Sequence, residues 1–252
     1  MKTILASVLA VIAVATGGPA AAQQVERVQP TPGGSVFTAQ TNWQTVIEAT
    51  PDRGVRMGDP HAPIRLVEYS SYSCPTCLQF AREGEDLVQL AYVQAGLANF
   101  EIRPYIRNDV DTVAAMLTTC GAPGGFFNRH RAMIHAQPEW LPKVSRASDA
   151  QRARWAAPDK AGARRAIAAD LGFYALMEPF GMNRVEQDRC LADDAAAAAL
   201  EQATIDASVN HRINSTPSFM VNGTPLLITN SWAQLEPQLQ ARVNALGQPN
   251  GG

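Results

Sequence analysis

The chain is poor in charge. Its 21 lysines and arginines nearly balance 23 aspartates and glutamates, leaving a net charge of -2 over 252 residues. Such a balance gives no electrostatic support for binding nucleic acid or an acidic membrane surface. Histidine is scarce at four, and cysteine is limited to Cys74, Cys77, Cys120 and Cys190. Beyond residue 22, no apolar run approaches the roughly 18 residues that span a bilayer. What the chain does have is a hydrophobic content of 46%, ordinary for a globular core. Its length suits one large domain or two small ones.

Residues 1–22 stand apart. Lys2 gives a positive start, Ile4 to Ala15 is apolar, and Gly17-Gly18-Pro19 breaks the run before Ala20-Ala21-Ala22. This is the pattern of a cleaved signal peptide, so the mature chain is expected to begin at Gln23 in an oxidising compartment, the periplasm. An even number of cysteines there suggests two disulfides. Four cysteines allow three pairings, one of which joins the close pair and leaves the two distant residues to each other.

Residues 23–57 read as a flexible leader, rich in Gln, Pro, Gly and Thr at first, with Trp43–Ala49 a short helical or extended arm. Order is expected in earnest from Ala62. Ile64 to Tyr69 has the β-branched and aromatic content of a strand. Helical spacing follows from Pro75 to Gly96, with Gly84 a candidate kink. Phe100 to Ile106 reads as a second strand, its Pro104 arguing for an edge or a bulge. From about Val110 to Asn210 the chain is Ala-rich, with room for four to six helices, and Ala195–Val209 is the clearest. Ser218–Val221 and Pro225–Ile228 flank Asn222-Gly223, a strong hairpin signal. Trp232–Leu246 closes the chain as an amphipathic helix. Strand, helix, strand, helical block, hairpin, helix describes an α/β fold, a small sheet interrupted by a helical insertion.

The chemistry centres on Cys74-Pro75-Thr76-Cys77. A structural zinc site needs four ligands, but Cys120, Cys190, His130 and His135 are scattered. A c-type haem needs His after the second cysteine, where Leu78 stands. A bracing bond over two residues closes too small a loop to constrain much. Thiol exchange fits best. At a helix start the first sulfur faces unpaired N–H groups that stabilise a thiolate, and Pro75 suits the first helical position. Cys74 is thus expected to be the exposed nucleophile and Cys77 the resolving partner. Glu68, six residues before Cys74, points either beneath the helix start or out from the strand end. Ser215-Thr216-Pro217 precedes the hairpin, and on base rates its proline bond is trans.

With these residues in hand, the stretch from about Gly58 to Leu246 resembles the DsbA-like branch of the thioredoxin superfamily. Glu68, Cys74-Pro75-Thr76-Cys77, the helical block, and Thr216-Pro217 with Phe219-Met220-Val221-Asn222-Gly223 carry the likeness. The resemblance implies a thioredoxin fold with an inserted helical subdomain: 58–107 and 211–248 forming the fold, 108–210 the insertion. It implies a cis bond at Pro217 packed on the active disulfide, and a backbone at Thr216 that pairs with extended substrates. Glu68 would tune the resolving cysteine. Exported relatives of this kind carry a second, structural disulfide, here Cys120–Cys190. No cofactor beyond the redox-active disulfide and no metal are implied.

The implied substrates are reduced or unfolded exported proteins, and the implied regenerator is a membrane partner of DsbB or DsbD type. Dimeric isomerases of the superfamily carry an N-terminal dimerisation domain. Here only residues 23–57 separate the cleavage point from Gly58, which favours a monomer and a dithiol oxidase. An isomerase or reductase, or a client-holding chaperone, is the alternative. His130 and His135 read as structural, and His211 as a neighbour of the Pro217 loop able to influence the thiolate. Asn214 and Asn222 match the glycosylation pattern and are discounted.

Overall fold

The computed structural model describes residues 41–247, so the expected signal peptide (1–22) and residues 23–40 of the expected leader lie outside the described residues. A one-turn helix at Trp43–Thr45, capped by the Asn42 side chain, leads into β1, Ile47–Ala49. A turn with Arg53 at positive φ (62°) connects it to β2, Val55–Met57. The arm expected at Trp43–Ala49 is thus a one-turn helix followed by a strand, and the flexible-leader reading fails where β1 and β2 pair into the sheet. These strands are three residues long, too short to show alternation, and only pairing reveals them.

β3 (Ile64–Ser70) and β4 (Ala98–Pro104) run parallel, and every other pairing is antiparallel. With β5 (Ser218–Val221) and β6 (Thr224–Leu226) they form one six-stranded sheet in the order β1-β2-β4-β3-β5-β6. β4 is interior, against the edge position inferred from Pro104. The proline is accommodated because β2 pairs only with Phe100 to Ile102 and has ended before it is reached. Asn222 and Gly223 at φ 51° and 83° make the expected tight turn between β5 and β6. The hairpin follows the sequence signal, although β6 stops at Leu226 and leaves Leu227 and Ile228 exposed.

The helix after β3 begins as α1, Pro75–Phe80, and continues with wide π turns at Ala81–Glu85 and Val88–Val93. Gly84 serves close approach: a Cβ there would sit 2.6 Å from the Phe80 ring and 2.9 Å from Trp232. The insertion holds eight helices where four to six were expected: α2 (Asp109–Thr119), α3 (Phe126–His135), α4 (Gln137–Ser145), α5 (Asp149–Trp155), α6 (Lys160–Leu171), α7 (Phe173–Met177), α8 (Arg184–Leu191) and α9 (Asp194–His211). Capping divides the block. Ser148-Gln151 and Asn183-Glu186 are reciprocal capping boxes, and Gly172 ends α6 in the left-handed region. The final helix, α10, spans Trp232–Leu246 as anticipated.

The two faces of β3 explain the placement of the site. Leu66 packs with Phe80, Val88 and Leu235 beneath α1 and α10. Val67 and Tyr69 pack with Ala207 and Ile213 under α9. Glu68 shares the side of Leu66, because side chains alternate along a strand. It therefore points beneath the helix that carries the cysteines. Cys74 and Cys77 belong to the separate core of the helical block, at the seam between block and sheet.

Candidate active site

Cys74 is the N-cap of α1 and Pro75 occupies its first turn. The loop before it is tightly held. Asp111 of α2, fully buried, accepts from the Ser73 amide at 2.7 Å and from the Ser71 hydroxyl at 2.9 Å. Gln137 at the start of α4 donates its side-chain amide to the carbonyls of Tyr72 (2.6 Å) and Cys74 (3.0 Å). The turn before the cysteine is thus locked from two helices of the insertion, by a carboxyl on α2 and an amide on α4.

The Thr216–Pro217 peptide bond is cis, and it brings the Thr216 carbonyl 3.2 Å from the Cys74 sulfur. The Thr76 hydroxyl is 2.9 Å from the same sulfur. Cys74 and Cys77 are free thiols, and both are buried, Cys74 4% exposed and Cys77 0%. The expected exposed nucleophile is thus a sulfur with a narrow window, because the cis-proline loop and Thr76 crowd it.

The two thiols are driven apart in acidity. Cys74 is lowered to about 4, first by the hydrogen bond from the Cys77 thiol, against a burial cost, and further by the Thr76 hydroxyl. The Thr216 carbonyl favours the protonated sulfur, and the donors outweigh it. Cys77 is pushed well above the ordinary thiol range by burial, and the bond to Cys74 and the charges of Cys74 and Glu68 add to the rise. The helix amides contribute less than the sequence suggested. The amides of Cys77 and Leu78 point to the Cys74 carbonyl at 3.1 and 3.3 Å, and the Cys77 amide is the last contributor at the sulfur. The polarity of the pair is made by side chains.

Glu68 is 0% exposed, and neither of its oxygens has a hydrogen-bond partner among the described residues. Burial first, and then the Glu85 charge, push its carboxyl well above the usual range. It is a buried acid biased toward its protonated form beneath the two sulfurs. Glu68, Cys74, Pro75, Thr76, Cys77, Thr216 and Pro217 thus come together in one place. Cys120 and Cys190 do not: they are joined to each other, tying the end of α2 to α8 with Cα atoms 6.1 Å apart. His211 lines a cleft with Tyr69 and Arg103 rather than the thiol site. Asp111 and Gln137 were missed. Their contacts bridge 38 and 63 residues of sequence, and Asp111 resembles any acid in a first helical turn.

The thioredoxin family model matches residues 50–241, from the turn after β1 into α10. The chain belongs to the thioredoxin family. A solved chain from Novosphingobium aromaticivorans, described as a protein-disulfide isomerase, is 37% identical, with a TM-score of 0.73 over 79% of this chain and 100% of that one. The α-DsbA1 of Wolbachia pipientis is similar in fold alone, with a TM-score of 0.57 at 19% identity over 82% of this chain and 96% of its own. A putative protein-disulfide oxidoreductase of Rickettsia prowazekii is 25% identical over 68% of this chain and 55% of its own length. The chain spans about half the length, or less, of the curated relatives it matches. The thioredoxin fold with its helical insertion, in the DsbA-like form, is the architecture these neighbours share with it.

Proposed function

We propose that the protein is a thiol:disulfide oxidoreductase that works as a monomeric dithiol oxidase in the periplasm. The observation that carries this reading is the acidity of Cys74, lowered to about 4 beside a Cys77 that stays protonated. At neutral pH such a sulfur is almost wholly thiolate when free. A stabilised thiolate favours the reduced form, which makes the disulfide form a strong oxidant.

In the forward cycle a client thiolate attacks Cys74 of the Cys74–Cys77 disulfide. The S–S bond breaks, its electron pair goes to Cys77, and the client is linked to Cys74. A second client thiolate then attacks the client sulfur of that mixed disulfide. Cys74 leaves as a thiolate, the client carries a new disulfide, and the enzyme is left reduced by two electrons. A low-pKa sulfur is a good leaving group, so this release is fast. The cis-Pro217 loop beside Cys74 supports a role for the Thr216 backbone in pairing with an extended client segment. Residues 1–22 support export, and reoxidation then falls to a membrane partner of DsbB type. Reduced exported proteins are the clients, and no cofactor beyond the disulfide is invoked.

The description of the Novosphingobium chain favours a second reading, isomerase action on the same site. The equilibrium potential of Cys74/Cys77 against glutathione separates the two. A value near about -120 mV supports the oxidase, one near about -180 mV the isomerase, and one near about -270 mV overturns both in favour of a reductase.

A further inference from the structure

The first residue beyond β3 carries a buried amide with a sulfur for its partner. Ser71 is 1% exposed, and among the described residues no carbonyl accepts its N–H. The hydrogen goes instead to Cys77 Sγ, 3.5 Å from the nitrogen. A buried amide normally finds a strong acceptor, and a thiol sulfur is a weak one. The pairing is well matched only when that sulfur carries charge.

The direction of this N–H is fixed from two sides. The carbonyl of Ser70, the other end of the same peptide unit, accepts from the Tyr105 amide at 2.8 Å. In a trans peptide the C=O and N–H point opposite ways, so the end of the β3–β4 pairing turns the N–H away from β4. On the other side stands Asp111. Besides the Ser73 amide and the Ser71 hydroxyl, it accepts from the Ser73 hydroxyl and the Arg107 amide, both at 3.1 Å. These four donors match the roughly four lone-pair sites of a carboxylate. Asn108, the N-cap of α2, donates to the Ser73 hydroxyl at 2.9 Å and accepts from the Asp111 amide at 3.0 Å. The Cys74 amide closes the turn on the Ser71 carbonyl at 3.2 Å. The Ser71 N–H cannot leave Cys77 without breaking bonds to Asp111 or Tyr105.

Cys77 needs such a donor at one moment of the cycle. It is buried, so solvent does not screen a charge forming on it. Burial, Cys74 and Glu68 all disfavour an anion there, and the Ser71 amide favours it.

We propose that the Ser71 amide stabilises the charge that develops on Cys77 when a client cuts the Cys74–Cys77 disulfide, and that Asp111 is the positioning residue that holds this amide in place. The inference rests on the exchange reading above. In the step concerned a client sulfur–Cys74 bond forms, the Cys74–Cys77 bond breaks, and its electron pair goes to Cys77. The Ser71 amide keeps its hydrogen throughout, and the new thiolate is later protonated from solvent. The free thiols of this structure stand on the product side of that step, so the amide is seen where the leaving sulfur comes to rest. Fixed donors aimed at developing charge are most effective where water is excluded. In the release step the leaving sulfur is Cys74, which has the Thr76 hydroxyl at 2.9 Å instead.

The test compares two half-reactions in the full chain. One is cleavage of the Cys74–Cys77 disulfide by a reduced cysteine peptide, with Cys77 leaving. The other is release of that peptide from a mixed disulfide with Cys74, prepared in a Cys77→Ala background and cut by the same peptide thiolate. Each is followed in the parent chain, in Asp111→Asn, and in a chain whose Ser71 is replaced by its α-hydroxy acid, so that an ester oxygen takes the place of the N–H. Both changes should slow cleavage by roughly tenfold. Both should leave release within about twofold of the parent. Equal slowing of the two half-reactions makes the turn a scaffold only and overturns the proposal, as does an ester chain that cleaves at the parent rate. Faster cleavage in Asp111→Asn overturns it too, because an acid acting through its charge alone would hinder a Cys77 anion and help it when neutralised. Ser71→Ala, which drops the hydroxyl bond to Asp111 and keeps the amide, covers an Asp111→Asn chain that does not fold. It should slow cleavage by about threefold with release unchanged, and an unchanged cleavage rate overturns the part given to Asp111. Absence of cleavage in the wild type instead defeats the exchange reading, and this one with it.

Discussion

The two cysteine pairs of this chain differ in almost every physical respect except their chemistry. Cys120 and Cys190 lie 70 residues apart in sequence and are joined, closing a long loop within the helical block. Cys74 and Cys77 lie three residues apart, unjoined, at the seam between block and sheet. The first pair has its two sulfurs committed to each other. The second has Thr76, the Thr216–Pro217 loop, a locked turn and an unpartnered buried acid. The lesson is that position decides what a disulfide does. A bond that only closes a loop stabilises the fold, whereas one whose two sulfurs differ in acidity exchanges.

Three substitutions sharpen that contrast. Cys74→Ser removes the attacked sulfur, and the rate of peptide disulfide formation should fall by roughly a thousandfold or more, with the melting temperature little changed. Comparable loss from removing Cys120 would erase the distinction between the pairs. Cys120→Ala with Cys190→Ala should cost about 2–4 kcal/mol of stability by denaturant titration, since the loop is long. Exchange by Cys74 should survive it within a few fold. If activity were lost while the fold held, the second pair would be part of the redox machinery.

Glu68→Gln should act on both stability and pH dependence. A buried carboxyl raised above its unfolded value binds protons more tightly in the native state, so native stability declines as pH rises above the unfolded value. The substitution removes that decline. It should stabilise the reduced protein by about 1–3 kcal/mol at pH 7 and by almost nothing near pH 4. Equal effects at both pH values would place Glu68 outside the titrating network.

Much of this was legible in the residues, for reasons that differ by element. Asn222-Gly223 specifies its own turn, the Ala-rich run at Ala195–Val209 favours helix throughout, and Trp232–Leu246 repeats at helical spacing, so each could be read locally. The Cys-Pro-Thr-Cys motif and Thr216-Pro217 were likewise visible as motifs, although they meet only through the parallel β3–β4 pair and the return of β5. What escaped reading depends on partners far along the chain. β1 and β2 are too short to show a period and exist by pairing with each other and β4. Pro104 looked like an edge residue because nothing local shows where β2 ends. Asp111 and Gln137 act across distances of 38 to 65 residues, beyond the range of any spacing argument. Even the source of the thiolate was misplaced: the helix start was visible, but the Cys77 thiol and the Thr76 hydroxyl do more.

The central claim is that one sulfur of the close pair is held as a thiolate while its neighbour stays a thiol. Ultraviolet absorbance of the reduced protein, followed against pH, measures this directly. The account predicts that one thiolate appears with a midpoint of about 4, that Cys74→Ser abolishes it, and that the second appears only above the ordinary thiol range. Two thiolates rising together near pH 9 would contradict it.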